Sequence, residues 1–216
     1  MTRGLTRRGL TRPASIAAAA AIVLALAGCG SSTPTSPNQS QFYNATGPGL
    51  QGLILKPAKQ APALALPNYT GQSVSLSTMR GKAVLVTFVY THCPNVCPLI
   101  ISKLAAADRS LGAEARHLQI IAVTVDPRRD TPTAIRTFLQ TRGALGRMDY
   151  LIGPYRRLVK TWKAWGVGIN VDTKHKIVGH SSLVYGITAA GRLAVVYPSS
   201  FSPAQIVHDV PLLVRS

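Results

Sequence analysis

The spacing of apolar and polar positions changes character several times along the chain, and each change marks an element. Residues 82–90 read KAVLVTFVY, a near-continuous apolar run rich in β-branched side chains, which predicts a strand buried on both faces. Residues 117–126 predict a second buried strand. The pattern predicts helices over 98–111, 132–141 and 155–165. Two short strands, 64–66 and 73–76, flank a turn at Asn68-Tyr69-Thr70-Gly71. Residues 181–187 pair with 192–197 across a turn at Ala189-Ala190-Gly191, and a closing helix starts near Ser202-Pro203.

A strand–helix–strand unit followed by a strand pair and a last helix predicts an α/β fold. The expected architecture is a thioredoxin-like three-layer sandwich around a central mixed β-sheet. Ahead of it the chain reads differently. Arg3, Arg7, Arg8 and Arg12 precede an alanine-rich apolar run at 14–27, too short for a comfortable bilayer span of about 20 residues. This reads as a secretory signal. It ends in Leu26-Ala27-Gly28-Cys29, which resembles the lipobox of bacterial lipoproteins. The resemblance implies cleavage before Cys29 and lipidation of that residue. The protein is then expected outside the cytoplasm, anchored to the bacterial cell membrane. Arg7-Arg8 leaves the export route open. Residues 30–52, rich in Ser, Thr, Pro, Gly and Asn, read as a linker that spans roughly 27 Å as a coil. The expected division is a signal peptide 1–28, a lipidated linker 29–52 and a folded domain 53–216.

Charge adds a second expectation. Only 14% of the 216 residues are charged, yet the net charge is +17. Four of the 24 basic residues lie in 1–28, which leaves 20 against 7 acidic residues, a net +13. A basic domain tethered to a membrane suits an acidic partner or anionic headgroups; a solvated basic surface accounts for the charge as well. Basic and aromatic residues do not interleave, so nucleic acid is not an expected partner.

The three cysteines narrow the chemistry. With Cys29 lipidated, Cys93 and Cys97 remain, four positions apart. In an oxidising compartment such a pair is a small disulfide, a redox couple or a metal site. A structural staple is disfavoured, because so short a loop removes little entropy from the unfolded chain. Pro98 suits the first helical position, which puts Cys97 near a helix N-terminus where a thiolate is stabilised. Two thiolates select Cu(I), Zn or related ions, and an imidazole extends the site toward Cu(II). Among the five histidines His180 is the best third ligand, opening a strand after the loop 172–176. His92 is expected to point away from Cys93, while His117, His175 and His208 read as structural or solvated. Asp130-Thr131 before Pro132 reads as a helix N-cap. Asp126 reads as structural, or as a group that orients His180. Trp162 and Trp165 read as packing residues.

The segment Thr87-Phe88-Val89-Tyr90-Thr91-His92-Cys93-Pro94-Asn95-Val96-Cys97-Pro98 resembles the signature of the Sco/SenC family. Val123-Thr124-Val125-Asp126-Pro127-Arg128-Arg129-Asp130-Thr131-Pro132 is similar to its second signature. Gly179-His180-Ser181, with Tyr185 and Gly191, is similar to its third. The resemblance implies a thioredoxin fold and copper held by Cys93, Cys97 and His180. It also implies a part in building the binuclear copper centre of cytochrome c oxidase, with the copper-acceptor subunit as partner. Asn95 stands where many members carry an acid, and the turn at Ala189-Ala190-Gly191 lacks one. Two functions follow: a metallochaperone, or a thiol–disulfide oxidoreductase that cycles a Cys93–Cys97 disulfide and keeps the acceptor's cysteines reduced. A peroxidase would need an arginine set beside one cysteine, an arrangement the sequence does not identify.

Overall fold

The computed structural model describes residues 48–172 and 177–216. The signal segment, Cys29, the linker up to residue 47 and His175 lie outside the described residues. The strands are β1 (Leu53–Gln60), β2 (Ala65–Pro67), β3 (Ser73–Ser75), β4 (Ala83–Val89), β5 (Leu118–Thr124), β6 (Asp149–Leu151), β7 (Ile169–Asp172), β8 (Ile177–His180), β9 (Leu183–Ile187) and β10 (Arg192–Pro198). The helices are α1 (Val96–Leu111), α2 (Pro132–Thr141), α3 (Tyr155–Ala164) and α4 (Pro203–Arg215).

Six strands form one mixed sheet in the order β1-β10-β9-β4-β5-β6. Strand β4 lies at its centre, parallel to β5 and antiparallel to β9, and all seven of its residues are buried. Helices cover both faces. Val86 is registered with Tyr185, so Val86, Phe88 and Tyr185 project to one face. There the Trp165 ring packs 5.9 Å from Phe88 and 5.4 Å from Tyr185. Gly186 turns to the opposite face, where a Cβ would lie 3.5 Å from Leu213 of α4. Helix α1 packs on α4 there. The three layers expected from the sequence are present, and each fully buried Leu or Phe between them contributes about 2 kcal/mol.

Three details differ from the sequence expectation. Helix α1 starts at Val96 rather than at the proline, with Asn95 as N-cap, so Cys97 sits inside its first turn. Pro98, the third helical residue, is tolerated because its missing N–H would have been unpaired in the first turn anyway. Strands β1 and β6 went unpredicted: β6 has three residues, and β1 is an edge strand whose burial shows no alternation. The hairpin β7–β8, a separate two-stranded sheet, also went unpredicted. Just before β1, Gln51 N donates to Asp209 Oδ2 at 2.7 Å, and Gln205 Nε2 donates to Gln51 O at 2.8 Å. The chain is thereby tied to α4.

Candidate metal centre

Strand β4 delivers its carboxyl end into the loop 90–95, and α1 follows at once. This is where open α/β sheets place their sites. The turn closes as Cys93 N donates to Tyr90 O at 3.3 Å. Cys97 N then donates to Cys93 Sγ at 3.3 Å. Both cysteines are free thiols, Cys97 fully buried and Cys93 partly so. The Cys93 thiol is pushed down to about 5. The hydrogen bond from Cys97 is the largest cause, and the amides of Cys97, Asn95 and Val96 add to it against the opposing effect of burial. Cys97 goes the other way, raised by its bond to Cys93 and by burial. The sequence assigned the helix-stabilised thiolate to Cys97. In the fold the free N–H groups of α1's first turn serve Cys93, and Cys97 keeps its proton.

His180 arrives from outside the main sheet. It ends β8, registered with Ile169 of β7, rather than opening β9 as the sequence predicted. Its Nδ1 lies 3.0 Å from Ser181 O. A carbonyl only accepts, so Nδ1 carries the hydrogen and Nε2 presents a lone pair. That Nε2 stands 3.8 Å from Cys97 Sγ. Burial lowers the pKa of His180, so the imidazole is neutral at pH 7. Metal bonds of about 2.3 Å to sulfur and 2.0 Å to nitrogen at a tetrahedral angle put such donors about 3.5 Å apart. The Cys97–His180 separation therefore fits one shared ion. Among the described residues no three His, Cys, Asp or Glu side chains already form a complete metal-holding group. Two edges of the triangle are in place, and an ion would draw in the third. Two sulfurs and one nitrogen are the donor set that accepts Cu(I) and extends toward Cu(II).

Two residues the sequence reading did not single out for this role hold the donors. Tyr90 follows β4; its hydroxyl accepts from Val178 N of β8 at 3.3 Å, and its ring meets the His180 ring edge-on at 6.1 Å. Asp130, expected as a helix cap, instead turns inward and is buried, while Thr131 caps α2 by accepting from Ala134 N at 3.2 Å. Asp130 Oδ1 accepts from Thr91 N at 2.8 Å and Thr91 Oγ1 at 2.7 Å. Its Oδ2 accepts from Thr124 Oγ1 at 2.6 Å and Tyr150 OH at 2.7 Å. The loop before Cys93 is thus bound to β5 and β6. The one available signal was an acid after a strand end, with Thr91, Thr124 and Tyr150 supplying more hydroxyls than a buried core needs.

The other expectations divide. Asp126 pairs with Arg129, not with His180. His92 is exposed and bonds Thr91 Oγ1, His117 accepts from Arg116, and His208 pairs with Asp209; none reaches the cysteines. Trp162 and Trp165 are buried.

The profile of a family described as SCO1/SenC matches residues 55–215. A Stutzerimonas stutzeri protein named for copper binding is 31% identical over 167 residues, 76% of this chain and 77% of that protein. The mitochondrial SCO2 homolog of Bos taurus is 30% identical over 152 residues, 68% of this chain. The match spans only 56% of that relative's length. Among solved structures, Bradyrhizobium japonicum ScoI with copper bound superposes with a TM-score of 0.63 at 26% identity, covering 71% of this chain and 98% of that one. The apo Sco1 protein from Thermus thermophilus gives 0.66 at 26% identity, covering 75% and 95%. These neighbours share the thioredoxin-like α/β fold expected from the sequence.

Proposed function

Because this chain belongs to the SCO1/SenC family, we propose that it binds one copper ion through Cys93, Cys97 and His180 and delivers it to the copper-acceptor subunit of cytochrome c oxidase. The observation that carries this reading is the neutral Nε2 of His180 aimed at Cys97 across 3.8 Å. Cys93, already a thiolate near pH 7, offers the first bond to incoming copper. Cys97 gives up its proton as the ion binds, so loading releases a proton and requires both sulfurs reduced. Unloading is ligand exchange, with thiolates of the acceptor displacing Cys93 and Cys97 in turn. We place the protein outside the cytoplasm, tethered through a lipidated Cys29; mass spectrometry of the membrane fraction should find the N-terminal peptide beginning at Cys29 and carrying lipid. A lipid-free native N-terminus would refute the anchor.

A second reading is favoured by one observation: a partly exposed thiolate beside a buried, protonated partner suits thiol–disulfide exchange. Cys93 would attack a disulfide of the acceptor and release one of its thiolates. Cys97, losing its proton, would then attack the mixed disulfide, leaving a Cys93–Cys97 disulfide and a fully reduced acceptor. His180 has no part in that sequence.

Copper titration of the reduced and oxidised chain tests the first reading. One ion per chain is expected for the reduced form and none for the disulfide. Normal oxidase assembly in cells carrying only His180→Ala would give the role to the thiol chemistry.

A further inference from the structure

The outer face of α3 carries a basic strip that no acid among the described side chains neutralises. Arg156, Lys160 and Lys163 recur at helical spacing on its exposed side, while Leu158 and Trp162 fill the buried side. Beside the strip two apolar side chains stand in solvent, Tyr155 at 65% exposure and Val159 at 40%. Among the described residues no ion pair reaches these cations. Six of the seven acids are engaged elsewhere: Asp108, Glu114 and Asp126 pair with other arginines, and Asp130, Asp149 and Asp209 accept hydrogen bonds within the fold. Like charges three and four positions apart on a helix repel one another, and an acidic counter-surface would relieve that repulsion.

The strip sits at the donors' end of the sheet. Trp162 Nε1, on the inner side of α3, donates to the carbonyl of Thr124, the last residue of β5, at 2.9 Å. That strand end leads into the exposed Arg128 and then Arg129, whose guanidinium lies 5.8 Å from the Tyr90 ring. Beyond Trp165, α3 leads directly into the hairpin that carries His180.

We infer that the outer face of α3, together with Arg128, is the docking surface for the protein that receives copper from this site, and that this partner meets it with Asp and Glu side chains around an apolar spot. The inference rests on the copper-carrier reading. A protein fits better than a bilayer, because the cations and the donors share one end of the fold. A membrane pressed there would close the site to exchange.

The test uses the full chain in detergent and the purified copper-acceptor subunit of the oxidase. Association is measured without copper at low and high salt, and copper transfer is measured separately. Arg156→Glu/Lys160→Glu/Lys163→Glu should lower the association rate about tenfold or more at low salt and flatten its salt dependence. Arg156→Lys/Lys160→Arg/Lys163→Arg should behave as the unaltered chain, and every variant should still bind one copper ion. An unchanged association rate in the charge-reversed variant overturns the inference, as does failure of the unaltered chain to bind the subunit. Lost binding to phosphatidylglycerol vesicles with unchanged subunit binding also overturns it and gives the strip to the bilayer. Subunit binding that follows the charges while no copper moves leaves the surface standing and removes the copper-carrier reading.

Discussion

The two halves of the proposed metal centre are held in different ways. The cysteine half leaves the centre of the main sheet. Cys93 and Cys97 straddle the start of α1, and the loop before them is fixed to Asp130, which gathers four hydrogen bonds from Thr91, Thr124 and Tyr150. The histidine half stands on a two-stranded hairpin of its own. Besides the 3.8 Å approach of His180 Nε2 to Cys97 Sγ, it is tied to the cysteine half through Tyr90, by a hydrogen bond to Val178 and a ring contact to His180. One half is set by the folding of the sheet; the other is set by a few contacts at its tip. The thiols therefore keep their geometry whether or not the imidazole joins them, and in the proposed site the imidazole would decide which oxidation state is held.

The hardest way to break this comparison is to remove a thiol. Cys93→Ser or Cys97→Ser should weaken copper binding by orders of magnitude in either oxidation state, as read by competition with a chelator. A variant that kept tight binding would show that the cysteine half is not the foundation of the site. The thiols also differ in pH. Alkylation of Cys93 should follow its thiolate, with a midpoint near its pKa of about 5 and a fall-off only below that. A midpoint near the ordinary thiol value would show that α1 does not stabilise it.

Removing the other half should be more selective. His180→Ala should lose stable Cu(II) while keeping weaker Cu(I) binding and an unaltered Cys93–Cys97 redox cycle. Equal loss of both ions would make the halves interdependent.

Asp130→Ala tests the support beneath the thiols. It strands the Thr124 hydroxyl and the Thr91 amide in a buried site and leaves Tyr150 OH only its 3.3 Å bond to Val89 O, at a cost on the order of 3 kcal/mol. Thermal unfolding should fall by roughly 10 °C, with Asp130→Asn falling less. A shift of a degree or two would mean that water replaces the carboxylate.

Tyr90→Phe is the mildest test, removing the acceptor for Val178 N and a hydroxyl that hydrogen-bonds Cys93. Stability should change by about 1 kcal/mol. Cu(II) should be held several-fold less tightly, with only a small change in Cys93 reactivity. If thiol reactivity changed strongly while Cu(II) affinity did not, Tyr90 would belong to the cysteine half alone.

The same contrast explains what could be read from the sequence. Strand β4 and helix α2 announce themselves because each has one strong reason: KAVLVTFVY can only be buried, and Thr131-Pro132 can only start a helix. The order of donors, strand then Cys93 then Cys97, follows from the same run. The hairpin did not announce itself, because β7 and β8 have four residues each and draw their contacts from residues distant in sequence such as Tyr90. His180 was consequently put at the start of a strand instead of the end of one. Asp130 was misjudged for a related reason: an acid before a helix has a ready local partner, and only the packing of β5 and β6 shows that three hydroxyls claim it first.

The tie between Gln51 and α4 has a consequence for reach. Leu53 is registered with Val196, Val196 with Tyr185, and Tyr185 with Val86. Residues before Leu53 therefore join the sheet on the carboxyl side of Val86, toward the end that carries the donors. With the anchor proposed at Cys29, about 20 residues would separate that end from the lipid surface, a reach of at most roughly 70 Å at full extension. Confinement of that kind raises the effective concentration of a neighbour in the same membrane into the millimolar range. Hand-over would then depend on brief, repeated collisions in a thin layer, and a weak complex would be enough.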